Sequence, residues 1–129
     1  MTQLARGLVA AAVVVLAGCA SPQKAPATAD VAVSRNAVEN AVSAGAAELA
    51  PEEINAARAK MMRANQALAA RDYKLARELA IQAQADAKLA QSKANSAKAT
   101  AASNALNEDL RVLREEVERA NSQQPATQQ

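Results

Sequence analysis

Cys19 is the sole cysteine of the chain, and its neighbours specify a reaction. It follows Leu16-Ala17-Gly18 at the end of an apolar run that begins at Gly7, with Arg6 and the α-amine on the positive flank. About ten apolar residues are too few to span a bilayer, which takes ~20. They suit an export signal that is later removed. Ala17 and Gly18 are the small residues a peptidase reads, and the thiol after them accepts a diacylglycerol before the cut. Leu16, Ala17, Gly18 and Cys19 together fill the positions of a lipoprotein cleavage motif. Cys19 is therefore the expected lipid-bearing residue, with an N-acyl chain on the freed amine. Each buried methylene contributes ~0.8 kcal/mol and stable anchoring takes about two chains, so three acyl chains hold firmly. The next residue is Ala20, not aspartate, which predicts an outer-membrane location facing the periplasm.

Other chemistry is thinly supplied. There is no histidine, hence no imidazole base or metal ligand. Glu108-Asp109 and Glu115-Glu116-Glu118 are dense acidic groups, but nearby arginines make them read as a solvated helix face. Ser92, Ser96 and Ser103 have no base to activate them. No enzyme is expected, and no metal, cofactor or small-molecule substrate beyond the covalent lipid. Loss of residues 1–18 leaves fourteen basic against thirteen acidic side chains, interleaved and without aromatic platforms. A nucleic-acid partner is not expected on that balance.

The elements that would carry these residues are helices. Thirty-seven of the 129 residues are alanine, one is aromatic and three are glycine. Alanine is the best helix former and strand-favouring aromatics are nearly absent, so the fold class is all-α. Buried alanines add little area at ~25 cal/mol per Å², which predicts a thin core and closely packed helices.

Along the chain, 1–18 reads as the removed signal and 19–29 as the lipidated cysteine with a flexible, proline-interrupted tether. An alanine-rich helical domain follows over 30–121, then a disordered tail over 122–129. Thr28 or Asp30 is the expected N-cap of a first helix. Its apolar stripe reads Val31, Val38, Val42 and Gly45, and Gly45 marks its stop. Ala46 to Ala50 is a short connection with Leu49 pointing inward. Pro51 opens a second helix with Glu52 and Glu53 in its first turn and a stripe of Ile54, Ala57, Met61, Ala64 and Leu68. Met61 and Met62 read as gap-fillers in a small core. Asp72 caps a third helix, and Tyr73 is expected to cover the end of the second.

From Tyr73 to Asn121 nothing breaks the pattern, so one helix of 45 to 50 residues is expected. It carries two seams. Ala76, Ala80, Ala83, Ala87, Ala90, Ala94, Ala97 and Ala101 form one, expected to close a hairpin against the second helix. Leu106, Leu110, Leu113 and Val117 begin the other, continued by Ala120 and traced backward through Ser103, Ala99, Ser96 and Ser92 to Leu89. The seams are out of phase and face different directions. Arg111 with Glu115, Arg114 with Glu118 and Glu115 with Arg119 are four-residue pairs on the exposed face. The architecture expected is a lipid-tethered antiparallel helical hairpin or three-helix arrangement with a long C-terminal helix, coiled-coil-like at its end.

The run Gly45-Ala-Ala-Glu-Leu-Ala-Pro-Glu-Glu, then Ala57-Arg58, Ala67-Leu-Ala-Ala-Arg-Asp-Tyr, Ala76-Arg and Leu79-Ala, resembles the domain of unknown function 4398 family. The resemblance spans about residues 30 to 105 and implies a small alanine-rich bacterial lipoprotein. Some relatives carry an OmpA-like peptidoglycan-binding domain after the helices. This chain stops short of one, so that activity is not expected here.

Two functions follow as expectations. The first is a non-enzymatic outer-membrane lipoprotein presenting a periplasmic helical hairpin as an envelope scaffold or interaction module. Its partners would be the membrane through the lipid and other envelope proteins through Leu106, Leu110, Leu113 and Val117. The second is a self-associating coiled-coil spacer resembling the murein lipoprotein, though without its terminal lysine. Here Asp109 and Arg114 would take g and e positions and pair across a parallel seam.

Overall fold

The structure, a computed structural model, describes residues 22–123, and all of its regular elements are helices. They are α1 (Lys24–Ser43), α2 (Ala46–Leu49), α3 (Pro51–Ala69) and α4 (Tyr73–Gln123). The all-α expectation holds, with the long C-terminal helix packing against the other three.

The first helix begins earlier than the prolines suggest. Pro26 lies in its first turn, where amides have no intrahelical partner and the missing N–H costs nothing. The Ala27 amide makes the first helical bond, to the Gln23 carbonyl at 3.2 Å. Residues 24–29 are therefore helix rather than tether. Neither Thr28 nor Asp30 is an N-cap: Thr28 Oγ1 donates back to the Lys24 carbonyl, and Asp30 pairs with Arg77. The buried stripe of α1 is Ala27, Val31, Ser34 and Ala41, with Val38 packed against it. Val42 is exposed.

Both corners have a residue in the left-handed region. Gly45 at φ 83° turns the chain out of α1, where L side chains are strained. Leu49 of the short α2 is exposed, not inward; Ala46 and Ala50 are the buried residues of that corner. Pro51 then starts α3 with Glu52 and Glu53 in its first turn, as the sequence predicts. At the far end of α3 the Asp72 amide donates to the Ala67 carbonyl at 2.9 Å and the Arg71 amide to the Leu68 carbonyl at 3.1 Å. This double bond pattern is a Schellman cap with Arg71, φ 62°, in the place usually taken by glycine. Asp72 caps α4 by accepting the Leu75 amide at 3.1 Å.

Three long helices pack up, down and up. Asp30 pairs with Arg77 at 2.7 Å, and the Ser34 hydroxyl lies 2.6 Å from the Ala80 carbonyl, so α1 and α4 run in the same direction. Lys60 pairs with Asp86 at 2.6 Å and Glu53 pairs with Lys93, so α3 runs against α4. The core divides into two layers. Val31, Met61, Ala64, Leu79, Ala80 and Ala83 fill the one toward the start of α1. Ala41, Ala46, Ala50, Ile54, Ala57, Ala87, Ala90 and Ala94 fill the other. Of the adjacent methionines only Met61 is a core residue, since Met62 faces out.

The alanine seam explains the thinness. Ala76, Ala80, Ala83, Ala87, Ala90 and Ala94 of α4 have no exposed surface. They receive both α1 and α3, so the seam closes a three-helix body rather than a two-helix hairpin. Side chains this small allow helix axes to approach to ~8 Å. Ala97 is half-buried and Ala101 is exposed, so the seam ends sooner than its spacing suggests. The reason is the length of α1 and α3: the corner at Gly45 lies level with Lys98, and no helix remains beyond it.

Candidate interaction surface

Past Lys98 the helix continues alone. Residues 98–123 are all exposed, and at 1.5 Å per residue this prong is about 40 Å long. Helix continues through Ser122 and Gln123, two residues into the stretch expected to be tail, while 124–129 lie outside the described residues. Nothing from α1, α2 or α3 covers the prong, so its helical state rests on propensity and local pairs. Arg111 supplies the main ones, bonding Glu108 at 2.6 Å through Nη2 and also reaching Glu115. The hydrogen bond from Arg111 holds the Glu108 carboxyl below its ordinary range and raises the guanidinium in return. Glu108 as a partner of Arg111 was not anticipated from four-residue spacing alone; the three-residue spacing carries it.

Leu106, Leu110, Leu113 and Val117 lie along the prong, each between 41% and 60% exposed. Leu110, Leu113 and Val117 line one shallow groove, with Arg114 and Glu118 at its edges. The acidic and basic side chains of Arg111, Glu108 and Glu115 occupy the opposite flank. An apolar row of this kind on a lone helix can bury area against a partner and offers nothing for bond making.

The cleavage-motif residues Leu16, Ala17, Gly18 and Cys19 lie outside the described residues. The described chain begins at Pro22, and α1 starts at the same end of the body as Tyr73. Tyr73 is half-buried beside Gln23, Arg77, Glu78 and Ile81, at the foot of α1. Leu106 to Val117 lie 33 to 44 residues further along α4, about 50 to 65 Å away along the axis. The N-terminal foot and the apolar row thus occupy opposite ends of the molecule.

Among the described residues no group of three or more His, Cys, Asp or Glu side chains is placed to hold a metal ion. Among them, too, no helix is long and apolar enough to cross a membrane. Ser92, Ser96 and Ser103 are exposed.

The domain of unknown function (DUF4398) matches residues 29–106, more than half of the sequence. The chain belongs to this family. The matched segment takes in α1 from Ala29 onward, the corner at Gly45, α3 and α4 as far as Leu106. It therefore covers the three-helix body apart from the first five residues of α1 and ends at the first large residue of the apolar row. No curated protein and no solved structure matches the chain.

Proposed function

We propose that this protein is a non-enzymatic lipoprotein, held by Cys19 in the outer membrane and facing the periplasm, whose prong is a contact surface for envelope proteins. The observation that carries this reading is the separation of ends. The foot of α1 lies a few residues from Cys19, whereas Leu106, Leu110, Leu113 and Val117 stand exposed about 50 to 65 Å away. A membrane-held chain of this shape lifts an apolar row clear of the lipid surface. The export signal and lipid-accepting motif at Leu16 to Cys19 supply the anchoring half of the reading.

Two measurements test the two halves. Intact mass of the mature chain should show an N-terminal residue 19 carrying acyl chains, and Cys19→Ser should abolish it. An unprocessed or unacylated chain in its native host sinks the anchor. A photoreactive side chain at Leu110 should give discrete cross-linked species in the envelope, with one at exposed Met62 of the body as the control. Equal, diffuse labelling from both positions sinks the contact surface.

A further inference from the structure

We infer, resting on the reading of the prong as a contact surface, that its occupant is the same row of a second copy of this chain. The two rows meet as a parallel, in-register, two-stranded coiled coil with the three-helix bodies on the outside.

Spacing gives the register. Leu106 and Leu113 fall at d positions, and Leu110 and Val117 at a. Leucine at both d positions with β-branched Val117 at one of the two a positions fits two strands, and Leu110 fills the other. Continued backward, the same a and d positions are Ser103, Ala99, Ser96, Ser92 and Leu89, every one exposed on the finished molecule. The free face is thus continuous from the prong down the outer side of the body.

Geometry removes the main objection, which is collision of the bodies. At 100° per residue, the direction shared by Leu106, Leu110, Leu113 and Val117 lies about 150° around α4 from that of Ala87, Ala90, Ala94 and Ala97. The alanines hold α1 and α3, so those helices sit behind α4 as seen from the apolar row. Two copies can bring their α4 helices together without moving anything.

Charge selects the orientation. Asp109 precedes an a position and Arg114 follows a d position, five residues apart, which is the g-to-e′ relation of a parallel pair. Each dimer then holds two Asp109–Arg114 pairs, one on each side of the seam. Among the described residues neither side chain has an ion-pair partner within its own chain, while Arg111 on the outer face already has Glu108 and Glu115. An antiparallel pairing would instead set Asp109 and Glu116, both at g, against one another. Two heptads of large residues bind weakly in free solution, and a shared membrane raises their effective concentration toward the millimolar range.

The test uses the full chain in its own envelope, where the unaltered protein reports any cross-linking through Cys19 itself. Under mild oxidation Leu110→Cys, at an a position, should form disulfide-linked dimers, and Val112→Cys, at the outward c position, should not. Asp109→Arg and Arg114→Asp change the sign of two symmetry-related contacts at once. Each should slow cross-linking of Leu110→Cys on the order of tenfold, and the two together should restore it. Equal cross-linking from 110 and 112, no cross-linking from 110, or additive loss in the double reversal overturns the inference. All of these side chains are exposed and outside the body, so helicity by circular dichroism should match the parent. Should 110 fail to cross-link to itself while a photoreactive group there captures a different envelope protein, the homotypic pairing is wrong and the contact surface stands.

Discussion

At the scale of single residues, two corners set the geometry and respond oppositely to substitution. Gly45 has φ 83°, and a Cβ built there would lie 3.3 Å from Lys98 Nζ and 3.4 Å from its Cε. The far end of a lysine moves aside easily, so the cost of Gly45→Ala is the backbone strain, about 1 kcal/mol. Arg71 carries the same kind of strain already. Arg71→Gly should stabilise by about 0.5 to 1 kcal/mol, since its amide keeps the Leu68 bond and the penalty on Cβ disappears. Urea unfolding of the two variants should shift the midpoint in opposite directions; equal shifts would mean the corners are not what limits these turns. Gly45 was legible in the sequence because glycine after a helical stripe signals a stop. The turn over Arg71, Asp72 and Tyr73 was legible too, from the cap at Asp72, but the left-handed conformation of Arg71 was not, since arginine carries no signal for it. Ser34 escaped for a related reason. It is buried, its hydroxyl shared between the Asp30 and Ala80 carbonyls, yet a serine amid valines reads as a break in the stripe.

At the scale of elements, the alanine seam and the ion pairs do different work. Ala90 is fully buried against the corner between α1 and α3, in a packing that depends on the absence of anything beyond Cβ. Ala90→Leu should destabilise by about 1 to 3 kcal/mol through overpacking, whereas Ala102→Leu on the bare prong should stay within about 0.5 kcal/mol. Thermal melts of the pair check this, and a comparable loss at 102 would mean the prong is packed. Glu53 and Lys93 join α3 to α4. The hydrogen bond from Lys93 lowers the Glu53 carboxyl, and the bond to Glu53 raises the Lys93 ammonium. The lowered carboxyl contributes stability above its unfolded value and loses it as pH falls through its folded one. The raised ammonium contributes below its unfolded value and loses it as pH climbs through its folded one. Stability should therefore decline both below the ordinary carboxylate range and above the ordinary lysine range. Glu53→Gln should flatten its share of each decline, and unaltered slopes in pH-dependent melts would show that solvent screens the pair.

At the scale of the whole molecule, body and prong are separable in energy. The core ends at Ala94, and Leu110 and Leu113 touch nothing in α1, α2 or α3. Leu110→Lys with Leu113→Lys should leave the unfolding of the monomeric body within about 0.5 kcal/mol of the parent. The same change should abolish every cross-link that Leu110 or its neighbours support. A large drop in body stability would show that the prong folds back onto it. The family match ends at Leu106, so the body is the shared part, and the contact surface proposed here lies almost wholly beyond it.

The sequence by itself determined the helical class, the stop at Gly45, the helix start at Pro51, the cap at Asp72, and the existence of two seams in different phase on one helix. Those are local matters of propensity, capping and period, which short stretches settle on their own. Tertiary structure alone decided that α1 joins the alanine seam, that the helix absorbs Pro26, and that the seam is spent by Ala97. Small residues carry almost no apolar signal, so a stripe built from Ala27, Ser34 and Ala41 is invisible until another helix lies against it. The exposure of Leu106 to Val117 is likewise a tertiary fact. It follows from α1 and α3 being too short to reach them.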